Sequence, residues 1–311
     1  MWTAKWITAA ETSPIWSGST AAGSSPRSRT TADRIAAITR RNADTDDFHH
    51  RQLDRAGAGR SSAIRSQRWQ VIATMRDPSK ERELTSVPGV KLLPLDVTQP
   101  AQITQAAKRA LEIGPVDVLF NNAGYGLAGP FEGATDAQLT NEIDTNLLGV
   151  MRVTQAFLPA MRERGSGCII TTTSIGGLVT FPFNCVYHAT KWGLEGWSES
   201  LAFELAKFGI KVKTVAPGGI RTDFATRSLV LTQHTAYAAE IAKTMKTFMD
   251  PKRREKGSSA EQIAEVVYEA ATDNKDQVTY VAGLDAKETY GQRLALGAEK
   301  FRGAIAERFL G

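Results

Sequence analysis

From Trp69 onward, apolar runs rich in β-branched residues alternate with segments of helical periodicity. WQVIATM (69–75) and VKLLPLDV (90–97) predict two strands, and PAQITQAAKRALEIG, after the second, predicts a helix. VDVLFNNAG (116–124) reads as a strand running into a glycine turn. A long helix is expected from about Asp136 to Arg164, then the strand CIITTTS (168–174) and a helix over roughly Val186 to Lys207. IKVKTVAPG (210–218) predicts another strand, SAEQIAEVVYEAAT a helix, QVTYVAG (277–283) the last strand, and the tail a helix. Continuously apolar strands alternating with helices imply a parallel sheet covered on both faces: a single-domain, doubly wound α/β fold of Rossmann type. Such sheets bind ligands beyond the carboxyl ends of their strands, so the chemistry is expected on the segments that follow them.

Composition narrows the class without naming the chemistry. No run of apolar residues is long enough to span a membrane. The formal charge of +5 suggests an acidic partner until it is located. Residues 1–68 hold 11 basic and 6 acidic side chains, which leaves 27 of each over 69–311. The body is balanced, so nucleic-acid binding through a basic face is not expected. The run PKRREK (251–256) reads as a solvated loop or helix end. Cys168 and Cys185 lack metal-ligand spacing and read as reduced structural thiols, which suits a cytoplasmic protein.

Tyr187 and Lys191 form Y-H-A-T-K, and positions i and i+4 share a helix face. An ammonium beside a phenol stabilises the phenolate, which lowers the phenol toward a working acid/base range. The pattern alone is weak, because Y-x-x-x-K is frequent on surface helices. Ser174 ends a strand thirteen residues earlier, where its hydroxyl reaches the same substrate oxygen or simply caps a turn. Asn146 lies in the helical stretch NEIDTNLLGVM, where asparagine has no propensity advantage. It reads either as a solvent-facing residue or as an amide turned inward to hold a water near the lysine.

N-N-A-G at 121–124, the serine, Y-x-x-x-K and P-G at 217–218 together resemble the classical short-chain dehydrogenase/reductase family, over the chain from about Trp69 to its end. The resemblance implies an oxidoreductase that exchanges a hydride between a nicotinamide dinucleotide and an alcohol or carbonyl compound. Tyr187 takes the general acid/base position, Lys191 the position that lowers its pKa and binds the nicotinamide ribose, Ser174 the carbonyl-orienting position, and Asn146 the end of a proton relay. By the same match Asp96 and Val97 lie against adenine, and Asn122, Ala123 and Gly124 line the adenosine ribose. Pro217, Gly218, Ile220 and Thr222 surround the nicotinamide amide and pyrophosphate. Arg76 stands where an NAD-preferring enzyme places an acid, and a guanidinium suits the 2′-phosphate of NADP(H), although Asp77 follows directly. The substrate expected is a small-molecule, largely apolar alcohol or ketone of unread identity, lipid-like or steroid-like by analogy, with a variable substrate loop at about 224–258 and a homo-oligomer as the assembly.

The first 68 residues fit poorly. The resemblance requires a strand and a T-G-x-x-x-G-x-G turn shortly before Trp69, yet FHHRQLDRAGAGRSSAIRSQRW (48–69) stands there. His49, His50, Arg51 and Asp54 are costly in a buried strand, and Gly57 and Gly59 are poor substitutes for the loop glycines. Back-translation of 49–59, read one nucleotide later, permits I-T-G-N-S-T-G-L-G-R-A, which has the form of the missing loop. The expectation is a frameshift before Trp69, with residues 1–47 a disordered or spurious extension and the domain spanning 48–311. The rival reading is a non-catalytic protein that has lost cofactor binding through this defect. A sugar-nucleotide epimerase shares Y-x-x-x-K, but N-N-A-G and the short region after Thr222 count against it.

Overall fold

The computed structural model describes residues 35–40, 69–82, 84–221 and 228–311. Among them, a seven-stranded sheet runs in the order β3-β2-β1-β4-β6-β7-β9. The strands are β1 (Ile35–Arg40), β2 (Trp69–Met75), β3 (Val90–Pro94), β4 (Val118–Asn121), β6 (Gly167–Thr172), β7 (Ile210–Pro217) and β9 (Thr279–Ala282). All neighbouring pairs are parallel except those of β1, which is antiparallel to β2 and to β4. Two short strands, β5 (Gly126–Ala128) and β8 (Leu229–Leu231), pair separately above the main sheet's site edge.

Side chains that alternate along these strands feed two cores, which is why the strands read as unbroken apolar runs. Ile72, Leu119, Ile169 and Val212 enter one cluster, whereas Val71, Phe120, Ile170 and Val215 enter the other. The first face is covered by α1 (Pro100–Ile113), which buries Ile103, Ala106, Ala107 and Ala110 at helical spacing. α2 (Asp136–Ile143) and α3 (Gly149–Arg164) continue through a π turn at Asp144–Leu148, and α4 (Cys185–Leu205) completes this layer. The other face is covered by α7 (Ala260–Thr272), started by a Ser259/Gln262 capping box. α5 (Ala238–Phe248), α6 (Pro251–Glu255), α8 (Leu284–Leu296) and α9 (Ala298–Leu310) gather around a third cluster holding Ile175, Val179, Ala286, Phe301, Ile305 and Phe309.

Several expectations change. The extension placed outside the domain contributes β1 to the middle of the sheet, with Ile35 opposite both Thr74 and Asn121. The helix expected over 136–164 is continuous but contains the π turn, and the helical tail is two helices broken at Gly297. Much of the expected substrate loop is helical. Within PKRREK, Arg253 is half-buried: its guanidinium lies 5.3, 4.8 and 5.4 Å from the ring centres of Phe181, Phe248 and Phe309. Cys168 is buried, but Cys185 is exposed at the start of α4. The segment 48–68 and Thr222 lie outside the described residues.

Candidate active site

The parallel strands end on one edge, and the segments leaving them bring the expected residues there: Arg76 after β2, Asp96 and Val97 after β3, Asn122 to Gly124 after β4, Ser174 after β6, Gly218 after β7. Beside them, α4 presents Tyr187 and Lys191 one turn apart. Ser174 caps a 3-10 turn, its Oγ accepting from the Gly176 N–H at 3.0 Å. The same hydroxyl lies close enough to the Tyr187 phenol to lower it, so serine and tyrosine meet at one point. Lys191 is buried, donates to the Thr172 carbonyl at 2.9 Å, and lies 5.8 Å from the Tyr187 ring centre.

His188, next to the tyrosine, fixes the loop that carries Ser174. Its Nδ1 lies 2.6 Å from the Gly176 carbonyl, and its Nε2 accepts from the Phe181 N–H at 2.8 Å. Those partners require the neutral tautomer with the proton on Nδ1. Burial lowers the imidazole pKa in the same sense.

Protonation differs from the expectation of a phenol lowered by its lysine. Burial pushes the Tyr187 phenol up to about 12, against a lowering contribution from Ser174. Burial also pulls the Lys191 ammonium down to about 8, opposed by the carboxylates of Glu142 and Glu195. Desolvation dominates both groups while the lysine is engaged with a backbone carbonyl.

Asn146 sits in the π turn and is fully buried. Its amide is turned inward and engages the chain at Tyr125. Nδ2 donates to the Tyr125 carbonyl at 2.7 Å and to Glu142 Oε1 at 3.0 Å, and Oδ1 accepts from the Tyr125 N–H at 2.9 Å. This ties down the chain directly after Gly124. A Cβ on Gly124 would stand 3.1 Å from Asn146 Oδ1 and 3.5 Å from Lys191 Nζ, so that position keeps open a space bounded by amide and ammonium. Gly149 is required for a different approach: a Cβ there would press on Val97 at 3.0 Å.

The remaining positions carry local bonds. Asn122 accepts from Thr172 Oγ1 at 2.7 Å, and Asp96 accepts from the N–H and hydroxyl of Thr98 at 2.9 and 2.7 Å. Asp77 is paired with Lys80 at 2.6 Å, which with Ser79 holds its carboxyl down at about 2. Ile220 is half-buried, packs against the second core cluster and pairs with Ser258. Asp285, absent from the sequence reading, packs over Gly218 and accepts from the Gly219 N–H at 2.7 Å, holding the segment after β7. An aspartate in the first turn of α8 gives no sequence signal of that role. Glu142 is likewise new: it is fully buried, and its carboxyl is pushed up to about 8 by desolvation.

The residues at this edge suit a nicotinamide dinucleotide: Gly124 leaves room, and Lys191, Asn122 and Tyr187 offer polar atoms. Among the described residues no glycine turn serves the pyrophosphate.

The short chain dehydrogenase family model matches residues 57–229. Human 17-beta-hydroxysteroid dehydrogenase type 1 is 36% identical over 249 residues, covering 72% of this chain and 74% of that one. A short-chain dehydrogenase structure from Streptomyces avermitilis superposes with a TM-score of 0.65 at 32% identity, over 76% of this chain and 85% of its own. One from Burkholderia cenocepacia in complex with NADP gives 0.57 at 26% identity, with the same coverage. The fold and the site edge define an α/β oxidoreductase of the dinucleotide-binding class. This chain belongs to the short-chain dehydrogenase family.

Proposed function

We propose that the protein interconverts a secondary alcohol and a ketone with NADP(H), using Tyr187 as general acid/base. The observation that carries this reading is the meeting of the Ser174 hydroxyl with the Tyr187 phenol, with Lys191 one helical turn away. In reduction, Tyr187 gives its proton to the substrate oxygen while Ser174 donates a hydrogen bond to the same atom. Lys191, through its charge, favours the phenolate left behind and offers donors to the nicotinamide ribose. Asn146 acts at one remove by fixing the backbone at Tyr125. The bound dinucleotide supplies or accepts the hydride. Asp96, Val97, Asn122, Ala123, Gly124, Pro217, Gly218, Ile220 and Thr222 are proposed as the cofactor contacts. The apolar segment with Phe181 and Phe183, and the steroid named for the human relative, favour a substrate with a large apolar body. An oligomer and a cytoplasmic setting belong to the same proposal.

Preference for NADP(H) rests on Arg76 and on the engagement of Asp77 by Lys80, which leaves the acid occupied beside the guanidinium. Arg76→Glu is expected to weaken NADPH binding about ten- to a hundredfold, the worth of a charge-assisted contact, and to spare NADH. Fluorescence titration of both nucleotides checks this; an equal loss for the two would remove the preference.

The direction of β1 favours a second reading. Because β1 is antiparallel, the chain leaves it at Arg40, opposite Trp69, on the edge away from the site. A pyrophosphate turn needs a strand that delivers the chain to the site edge. If the protein has lost that turn, NADPH titrated into it gives no saturable fluorescence change, and the non-catalytic reading stands. Saturable binding supports the enzyme. The gene's nucleotide sequence over codons 48–68 decides whether a frameshift underlies the defect.

A further inference from the structure

Glu142 is a buried ionisable side chain that the proposed reaction does not use. It lies in α2, one turn before Asn146, and has no solvent exposure. Oε1 accepts the Asn146 amide at 3.0 Å, and the Tyr125 side chain and the Leu127 backbone also engage the carboxyl. Asn146 in turn adjoins the space beside Gly124 into which Lys191 Nζ projects. A carboxyl sealed in this way has been kept out of water at a cost that an apolar side chain would avoid.

We propose that Glu142 is a positioning residue for the acid/base pair: through charge across the Asn146 amide, its carboxyl governs whether Lys191 carries a proton. The inference rests on the alcohol/ketone reading for its purpose, but its physical content concerns the ligand-free protein. The groups facing Glu142 are few. Tyr125 from the segment after β4 is pushed upward by burial and by the carboxylate, and Tyr187 from α4 feels the same charge. Lys191 is the cation, and on its far side stands Glu195, whose oxygens are taken by Thr173, Thr214 at 2.8 Å and Thr279 at 3.3 Å. Glu195 is thus held by three threonine hydroxyls, and Glu142 is the other carboxylate acting on Lys191. Burial drives carboxyl and ammonium toward one another's range, up to about 8 and down to about 8, so the two titrate as a pair.

The coupling is reciprocal, which gives a test that a packing role would not pass. Wild-type protein labelled with 13C-carboxyl glutamate and 15Nζ lysine is titrated by NMR without cofactor, Glu142 and Lys191 being assigned by loss of signal in Glu142→Gln and Lys191→Met. Glu142→Gln is expected to lower the Lys191 midpoint by about one pH unit, a tenfold change, because the ammonium loses its anionic neighbour. Lys191→Met is expected to raise the Glu142 midpoint by the same amount. If Glu142→Gln does not fold, Glu142→Leu supplies the assignment, and the Lys191→Met arm with the wild-type Glu142 midpoint decides. Unmoved midpoints, or a wild-type Glu142 that titrates in the ordinary carboxylate range, overturn the inference. Since no arm needs turnover, a failed NADPH titration would sink the enzymatic reading without touching this one.

Discussion

Tyr187→Phe is expected to reduce ketone reduction on the order of a thousandfold while leaving the fold and the thermal midpoint close to those of the parent. The substitution removes one oxygen and keeps the ring, so the packing of α4 against the loop at Gly176 persists. What is lost is the proton donor and the partner of Ser174. The measurement is kcat/KM for a ketone in parent and variant, with circular dichroism of both. A parent that turns over and a variant that matches its rate would remove Tyr187 from the mechanism. The parent rate should also fall at high pH, since reduction needs the protonated phenol and burial holds the phenol up to about 12.

The largest stability effect is expected away from the site. Lys213, in the centre of β7, is almost wholly buried and meets Asp273 Oδ1 at 2.6 Å and the Tyr280 hydroxyl at 2.9 Å. Tyr280 donates to Asp273 Oδ2 at 2.7 Å, so the three groups close a ring of hydrogen bonds between β7, β9 and the end of α7. Asp273→Ala leaves a buried ammonium without its anion, and a loss of about 3 kcal/mol is expected by urea denaturation at pH 7. A change under about 0.5 kcal/mol would show that the pair contributes nothing net. The pH dependence follows from the directions. Asp273 is held below its ordinary value, mainly by Lys213 and Tyr280 against desolvation, so its contribution is present above about pH 4 and fades as acid protonates it. Lys213 is raised by the same contacts, and its contribution is lost only as pH climbs past its ordinary value of 10.5. Between those limits the wild type should show no step from this pair.

How much the sequence revealed depends on the range of the forces involved. The strands β2, β6 and β7 were legible because both their faces are apolar, and Ser174, Tyr187 and Lys191 because their spacing is set within one strand–turn–helix unit. Glu142 was not, since a glutamate in a polar helix turn ordinarily faces water; only the π turn and the packing of α4 seal it. Lys213 was passed over for a similar reason, its anion lying sixty residues away in sequence. Asp285 owes its role to a helix folding back over the segment after β7. β1 has a short apolar pattern with no turn signal tying it to β2, so its place and direction come from pairing with strands far along the chain.

The π turn at Asp144–Leu148 sets a phase between two halves of one rod. Ahead of it, the helix turns Glu142 inward onto Asn146; behind it, Val153, Phe157 and Met161 join the core against the sheet. A π turn carries one residue more than an α turn, so losing one residue there relaxes it to ordinary α geometry with the two halves nearly in phase. What such a deletion takes away is the turn's own buried pair, Thr145 and Asn146. Losing a residue from either flanking helix instead rotates one half against the other by about 100°. The rod therefore has slack in its length only at this turn, and there the slack is occupied by Asn146.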